Sequence, residues 1–488
     1  MKTYNLNKPV LLLLALLMCL GCSEDYLEKT EEYTIDSENY FNSEEEYYNA
    51  LIGVYDVLQS TYVNVILGEI ASDNTVSGGE SATDVIGWQQ VDDMQHTPVN
   101  DNLDDVWDWN FAGVQRANYI LEFEDKTDFE GKEQIIAETR FLRAYFTFEL
   151  VKWFGPIPLK GDERFVLGDE KSIPRAPVSE VYAQIESDLQ YAIEHLDYTA
   201  PQTGRATKGA AQALLGKAHL YQDEFSESAS VLTDLIDNGP YSLSNFATLF
   251  EQEGENNEES VFEVQYTGEE GAGFDCLQCS EGNVAVGFQG IRNYSGPVFE
   301  PGFGFNLPVQ EAYDMFGEND IRRDLSVLNI EEWTEETGAT YAIGNVEKHT
   351  GFYNRKYLPR QNNNVGDANL TQPNNYRAIR YADVLLMAAE ALNRGGIDDG
   401  RARTYLNMVR DRAGLDPVTV SGNNLTEAIY DERRKELVGE GHRFFDLVRT
   451  GRAAANIDGF VSGKHEVFPV PLEEIEFSEG NWDQNSNY

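Results

Sequence analysis

The sequence predicts an all-α protein, a scaffold of repeated helix pairs that carries an irregular, loop-rich ligand-binding subdomain with short strands. Three observations lead there. Apolar residues recur at threes and fours over several well-separated stretches, the signature of amphipathic helices. Two of these stretches are helix pairs with small residues at the joint. Between the helical stretches, residues about 60–110 and about 240–375 are rich in Gly, Asn, Asp and aromatics and show few helical periods.

Taken in order, the chain opens on a positive start, Lys2 and Lys8, followed by the apolar run Val10 to Leu20, too short to span a bilayer at about 20 residues per crossing. Residues 1–21 read as a signal peptide. The run ends in Cys19-Leu20-Gly21-Cys22, a small residue before a cysteine as in the lipobox of bacterial lipoproteins, with Cys19 where Leu is usual. Cys22 is therefore expected to carry lipid, and buried acyl chains contribute about 0.8 kcal/mol per methylene to holding such a protein on a membrane. The following Ser23-Glu24-Asp25 resembles the acidic tag that sends lipoproteins to the cell surface in Bacteroidetes-type bacteria.

The mature part, residues 22–488, is read as one domain, with helical scaffold at about 30–60, 110–240 and 376–460. Ile135 to Phe154 is apolar nearly all round and stopped by Gly155-Pro156, which makes it a central buried helix. From Pro177 onward, Val181, Ile185, Leu189, Ala192 and Leu196 mark one face of an amphipathic helix. Lys208 to Tyr221 and Phe225 to Asp237 form a pair, and the run from Ala213 to Tyr221 followed by Phe225 resembles a tetratricopeptide repeat. A second pair, Ala378 to Asn393 and Gly400 to Ala413, has the same shape with Gly395-Gly396 between its helices. One pair cannot bury its own apolar face, so two degenerate pairs imply a divergent repeat scaffold. Val261 to Val264 is a short strand, and the long irregular stretches are the expected place for a ligand.

Charge narrows the function. The 488 residues hold 84 Asp and Glu against 37 Lys and Arg, a formal net charge of -47. Phosphate backbones are bound by neutralising them with cations, so nucleic acid is not an expected partner. The acids form a solvated surface, with no EF-hand pattern. Cys276 and Cys279 are spaced as half a zinc site or a redox pair, yet no second pair completes four ligands, which favours a local thiol pair or disulfide. No cofactor and no metal are expected. The six His show no H-E-x-x-H, and neither a G-x-S-x-G elbow nor a G-x-x-x-x-G-K loop occurs. With this many acids some pair always fits glycosidase spacing, so counting carboxylates argues nothing for hydrolysis.

Several segments resemble the SusD/RagB family of surface nutrient-binding lipoproteins. They are Ser43 to Tyr47 leading into Leu51 to Tyr55, Ala137 to Tyr145, Lys152 to Pro158, Arg380 to Leu386, Glu432 to Leu437 with Gly441 to Leu447, and Gln484-Asn485 to Tyr488. The resemblance implies a non-enzymatic protein that captures an oligosaccharide or polysaccharide and delivers it to a SusC-like TonB-dependent outer-membrane barrel, lipid-anchored and facing the exterior. Alternatives are the same scaffold binding peptides or another nutrient, and a surface hydrolase. The Glu432 to Asp446 cluster is read as a structural ion-pair network, with Glu432 and Glu436 one turn apart.

A sugar site needs flat aromatic faces flanked by groups that hydrogen-bond hydroxyls. The loops offer Asp73 with Asn74, Trp88, Arg292, Tyr294, Trp333, Tyr341 and Tyr353. Trp88 stands first, because no apolar periodicity explains it in a polar, Gly-containing loop, and its replacement by alanine is expected to weaken glycan binding without unfolding the protein. Trp107 and Trp109 lie in a helix-like stretch and are set aside as structural.

Overall fold

A computed structural model describes residues 40–269, 280–343, 348–361 and 369–488. The signal peptide, Cys22 and the Cys276/Cys279 pair lie outside the described residues.

The helices run α1 (Glu44–Val57), α2 (Thr61–Ile70), α3 (Ile86–Asp92), α4 (Asp101–Leu121), α5 (Lys132–Phe154), α6 (Val178–His195), α7 (Lys208–Tyr221), α8 (Phe225–Asn238), α9 (Tyr381–Arg394), α10 (Asp399–Arg412), α11 (Asn423–Leu437) and α12 (Arg443–Arg449), with shorter helical pieces between. Their starts are set by side chains that satisfy orphan N–H groups: Ser43 accepts from the Glu46 amide, Thr207 from Ala210 and Asp398 from Arg401. Helix α5 is apolar on every side because every side is covered, with α4, α1 and α6 packed around it and Phe141, Phe146 and Phe148 sealed from solvent. It ends where Gly155 adopts a positive φ of 70°, which a side chain would resist.

The two expected helix pairs are present. In the first, α7 and α8 pack so closely that a Cβ on Gly216 would lie 2.4 Å from Leu232 Cδ2, and Ser228 Oγ donates to the Gly216 carbonyl at 2.8 Å. Helix α8 packs in turn on α9, the first helix of the second pair, so the pairs bury each other's faces. Gly216→Val should therefore force the pair apart and lower unfolding free energy by about 1–3 kcal/mol, read as a shifted urea midpoint at unchanged slope; an unchanged midpoint would show that the pair tolerates the wedge.

Strands are short and paired in twos, all antiparallel: β1 (Thr75–Gly78) with β5 (Phe305–Pro308), β2 (Ile157–Pro158) with β3 (Arg175–Ala176), β4 (Ser260–Val264) with β8 (Tyr376–Arg380), and β6 (Val327–Asn329) with β7 (Phe352–Asn354). Two sequence boundaries shift. The expected loop after residue 60 contains α2, whose Tyr62, Ile66, Leu67 and Ile70 are at most 1% exposed, so tertiary burial overrides a β-branched composition that reads as non-helical. Residues 376–380, placed at the edge of a helix by pattern, pair with β4 before α9 starts at Tyr381.

One large core runs through the helices, and a smaller one, made of Ile291, Tyr294, Phe299, Leu307, Leu328, Ile330, Ala339, Tyr353 and Leu358, underlies the loop-rich part. The expected ion-pair cluster is buried. Glu436 meets Arg412 at 2.5 Å and Arg380 and Arg322 at 3.0 Å each, while Glu432 meets Arg322 at 2.7 Å and Arg410 at 2.8 Å. His442 beside it is pushed down to about 3 by burial and then by Lys217, so it is a neutral structural imidazole at neutral pH.

Candidate functional site

The loop-derived candidates separate into residues that hold the fold together and residues that reach the surface. Asp73 belongs to the first group. Its carboxylate takes Arg443 at 2.7 and 2.9 Å and Arg434 at 3.2 Å, which staples the end of α2 to α11 and α12. Asn74 is fully buried and accepts from Arg434 Nε at 2.8 Å. The family-like Ser72-Asp73-Asn74 segment is thus a clamp, and Asp73 has no free oxygen facing the loops.

Trp88 also moves inward. It lies on α3, 2% exposed, with its ring edge-on to Phe305 at 5.0 Å and to Phe288 at 5.4 Å. A ring enclosed in this way offers no face to a sugar. The short helix carries few apolar positions, so its periodicity did not reveal that the indole inserts under the β1–β5 pair.

Tyr294, Trp333, Tyr341 and Tyr353 share the smaller core, as its buried floor or its margin. Tyr353 is fully buried and Tyr294 is 6% exposed, so both form the floor. Tyr294 hydroxyl accepts from Trp333 Nε1 at 2.9 Å and donates to the Pro297 carbonyl at 2.7 Å, which uses its polar end. Trp333, on the short helix Ile330–Thr337, is half-buried, packs on Phe299 at 5.3 Å and has the Arg355 guanidinium 5.6 Å from its ring.

What reaches solvent is a band along the margin. Tyr341 and His349 are half-buried, with nearly parallel rings (20°) whose centroids are 6.2 Å apart. His349 Nε2 lies 3.3 Å from the Tyr353 hydroxyl, so the floor orients this ring. Backbone bonds between Ser295 and Thr340, at 2.8 and 2.9 Å, and a side-chain bond from Asn293 Nδ2 to the Ala342 carbonyl at 2.8 Å tie the Arg292 segment to the Tyr341 segment. Arg292 extends along the same edge, held by Asp84 at 3.0 Å and approached by Glu80 at 3.6 Å. Sequence reasoning missed His349, Asn293 and Asp84; no periodicity or motif marks them, since only the pairing of distant loops brings them together.

Burial pushes the His349 imidazole down, against the pull of Glu331, and raises the phenols of Tyr341 and Tyr294. At neutral pH the band is made of uncharged rings beside a guanidinium already matched by a carboxylate. Such a surface is suited to stacking and hydroxyl recognition.

Trp107 and Trp109, on α4 as expected, are 2% and 6% exposed. They nevertheless border a separate cleft of roughly 480 Å³ with Phe111, Phe165 and Trp482.

Comparison with known proteins bears on this site. Residues 293–488 match the model of the SusD family, and residues 25–220 match a model described as starch-binding associating with outer membrane. SusD-like protein P25 of Formosa agariphila is 25% identical, over 98% of this chain and 97% of its own. Among solved structures, a laminarin binding SusD-like protein superposes with a TM-score of 0.85 at 34% identity, covering 92% of this chain and 100% of its own. Surface glycan-binding protein A from Bacteroides fluxus gives 0.82 at 29% identity, over 92% and 100%. Two family models that together match residues 25–220 and 293–488, and a relative a third identical along its whole length, establish that this protein belongs to the SusD family.

Proposed function

We propose that the chain is a non-catalytic glycan-binding protein that takes a laminarin-type glucan on the band formed by Arg292, Asn293, Trp333, Tyr341 and His349. The observation that carries this reading is the aromatic margin of the smaller core: half-exposed rings held by a rigid floor beside polar groups, the combination that apolar sugar faces and hydroxyls require. The 34% identical relative described as laminarin binding supports the substrate class. Preorganised rings lower the ordering cost of capture, which suits a protein that must bind and then release. Anchored through Cys22 in the outer membrane and facing the exterior, it passes the oligosaccharide to a SusC-like TonB-dependent barrel, which supplies the transport.

The test is affinity electrophoresis and calorimetry of the purified protein against laminarin, starch and other polysaccharides, with analysis of released products. Retardation by laminarin without product release is the expected result. Turnover of any polymer would replace the binding reading with a hydrolase. Tyr341→Ala is expected to weaken laminarin binding about tenfold, equivalent to about 1.4 kcal/mol, with little change in melting temperature because the ring sits at the margin. Full affinity in that variant would place the sugar elsewhere, the cleft beside Phe165 being the next surface to mutate.

A further inference from the structure

Away from the loop-rich part, the first helix pair brings together a nitrogen and two carboxylates from three elements. His219 lies near the end of α7, its side chain 8% exposed. Its Nδ1 is 2.6 Å from Glu224 Oε2, on the turn into α8, and 3.8 Å from Glu186 Oε1, on α6. The three ligand atoms all lie within 4.8 Å of one another. Among the described residues, the ion pairs of both carboxylates run to His219 alone and to no Lys or Arg. This contrasts with the buried acids of the α11 cluster, each met by guanidinium or ammonium groups.

We propose that Glu186, His219 and Glu224 form a binding site for a divalent transition-metal ion of the zinc type. Zinc takes imidazole nitrogen and carboxylate oxygen at about 2.0–2.2 Å, so tetrahedral ligands stand about 3.4 Å apart. Glu186 and His219 are already near that spacing. Glu224, with its side chain 42% exposed, can swing outward to meet the ion. A mixed nitrogen and oxygen set favours zinc over calcium, which seeks six to eight oxygens. His219 also borders an open depression of roughly 550 Å³ lined by Gln190, Glu194, Glu227 and Ser230, which gives the ion a path from solvent and room for a water ligand.

The proton count is simple. Nδ1 faces a carboxylate and so carries the single hydrogen of the neutral ring in the metal-free state; the ion takes the Nδ1 lone pair while that hydrogen moves to Nε2, so the imidazole ligates as a neutral ring. Gln222 Nε2, which donates to Glu186 Oε1 at 2.8 Å, yields that oxygen to the ion or keeps it while the second oxygen ligates. The metal then clamps α6, α7 and the α7–α8 turn. The sequence hides this site, because His219 and Glu224 have no motif spacing and Glu186 comes from a different helix.

The experiment is calorimetric titration of the purified protein, its cysteines replaced by serine so that thiols cannot compete, with zinc chloride alone and, separately, with calcium chloride. We expect one saturable zinc site per chain, weakened more than about tenfold in His219→Ala, since even outer-shell changes at metal sites cost about 10–100-fold. Calcium should show no His219 dependence. Glu224→Gln, at a more exposed position, should weaken zinc as well and decides the matter if His219→Ala fails to fold. Absence of a saturable zinc site, or zinc affinity equal to the parent's in both variants, overturns the proposal.

Discussion

Trp88→Ala is expected to lower unfolding free energy by about 3–5 kcal/mol, the usual cost of truncating a buried aromatic to alanine. Its indole is enclosed by Phe288 and Phe305, and through Phe305 it supports the β1–β5 pair. The cavity left behind cannot be filled from solvent without wetting that pair, and Gln89, the next residue on α3, is bonded to Ser77 Oγ and to the Gly78 carbonyl at 2.6 and 2.7 Å, which limits collapse of the helix into the void. Denaturant titration of parent and variant measures the loss, and glycan affinity of the folded variant should stay within a fewfold of the parent. An unchanged midpoint with abolished binding would restore Trp88 as a sugar platform and refute its place in the core.

That reversal shows which parts of the molecule its sequence makes legible. Lys208–Tyr221 and Phe225–Asn238 are bounded almost to the residue by local signals, a Thr cap at one end and Gly239-Pro240 at the other, because helix limits are set by nearby chemistry. The ion-pair role of Glu432 and Glu436 is equally legible, since helical spacing puts both on one face. The loop residues are different. Tyr294, Tyr341 and Tyr353 look alike as sequence, yet one lies at the margin and two in the floor, and the difference is made by β6–β7 pairing and by the Ser295–Thr340 link. Asp73 likewise looks like a free carboxylate until Arg434 and Arg443 arrive from far along the chain. Periodicity reports how an element faces its own neighbours, and a site assembled from several loops has no period to read.

The ion-pair cluster carries the other large effect. Glu436→Gln keeps the shape of the side chain and removes the charge that three arginines share at 2.5 to 3.0 Å, leaving buried guanidiniums with too little opposite charge. Breaking one partner of a buried ionic network in this way costs about 3–5 kcal/mol. Burial alone would disfavour ionised Glu436, but Arg412, Arg380 and Arg322 outweigh it and hold the carboxyl well below the ordinary range; Glu440 and Asp383 are lowered by the same balance. A carboxyl whose folded value is depressed contributes stability above its unfolded value, about 4, and that contribution is lost as pH falls through the folded one. The opposite sign holds beside the α4 cleft, where burial and neighbouring acids raise Asp104 and Asp105 to about 6 and Glu474 to about 7. Their stabilising contribution is complete below the unfolded value and is lost as pH rises through 6 to 7. Melting temperature followed across pH should therefore peak between these two windows, and Glu436→Gln should lower the whole curve while flattening its acid limb; a variant curve parallel to the parent at low pH would mean that Glu436 titrates normally and that the arginines do not hold it ionised.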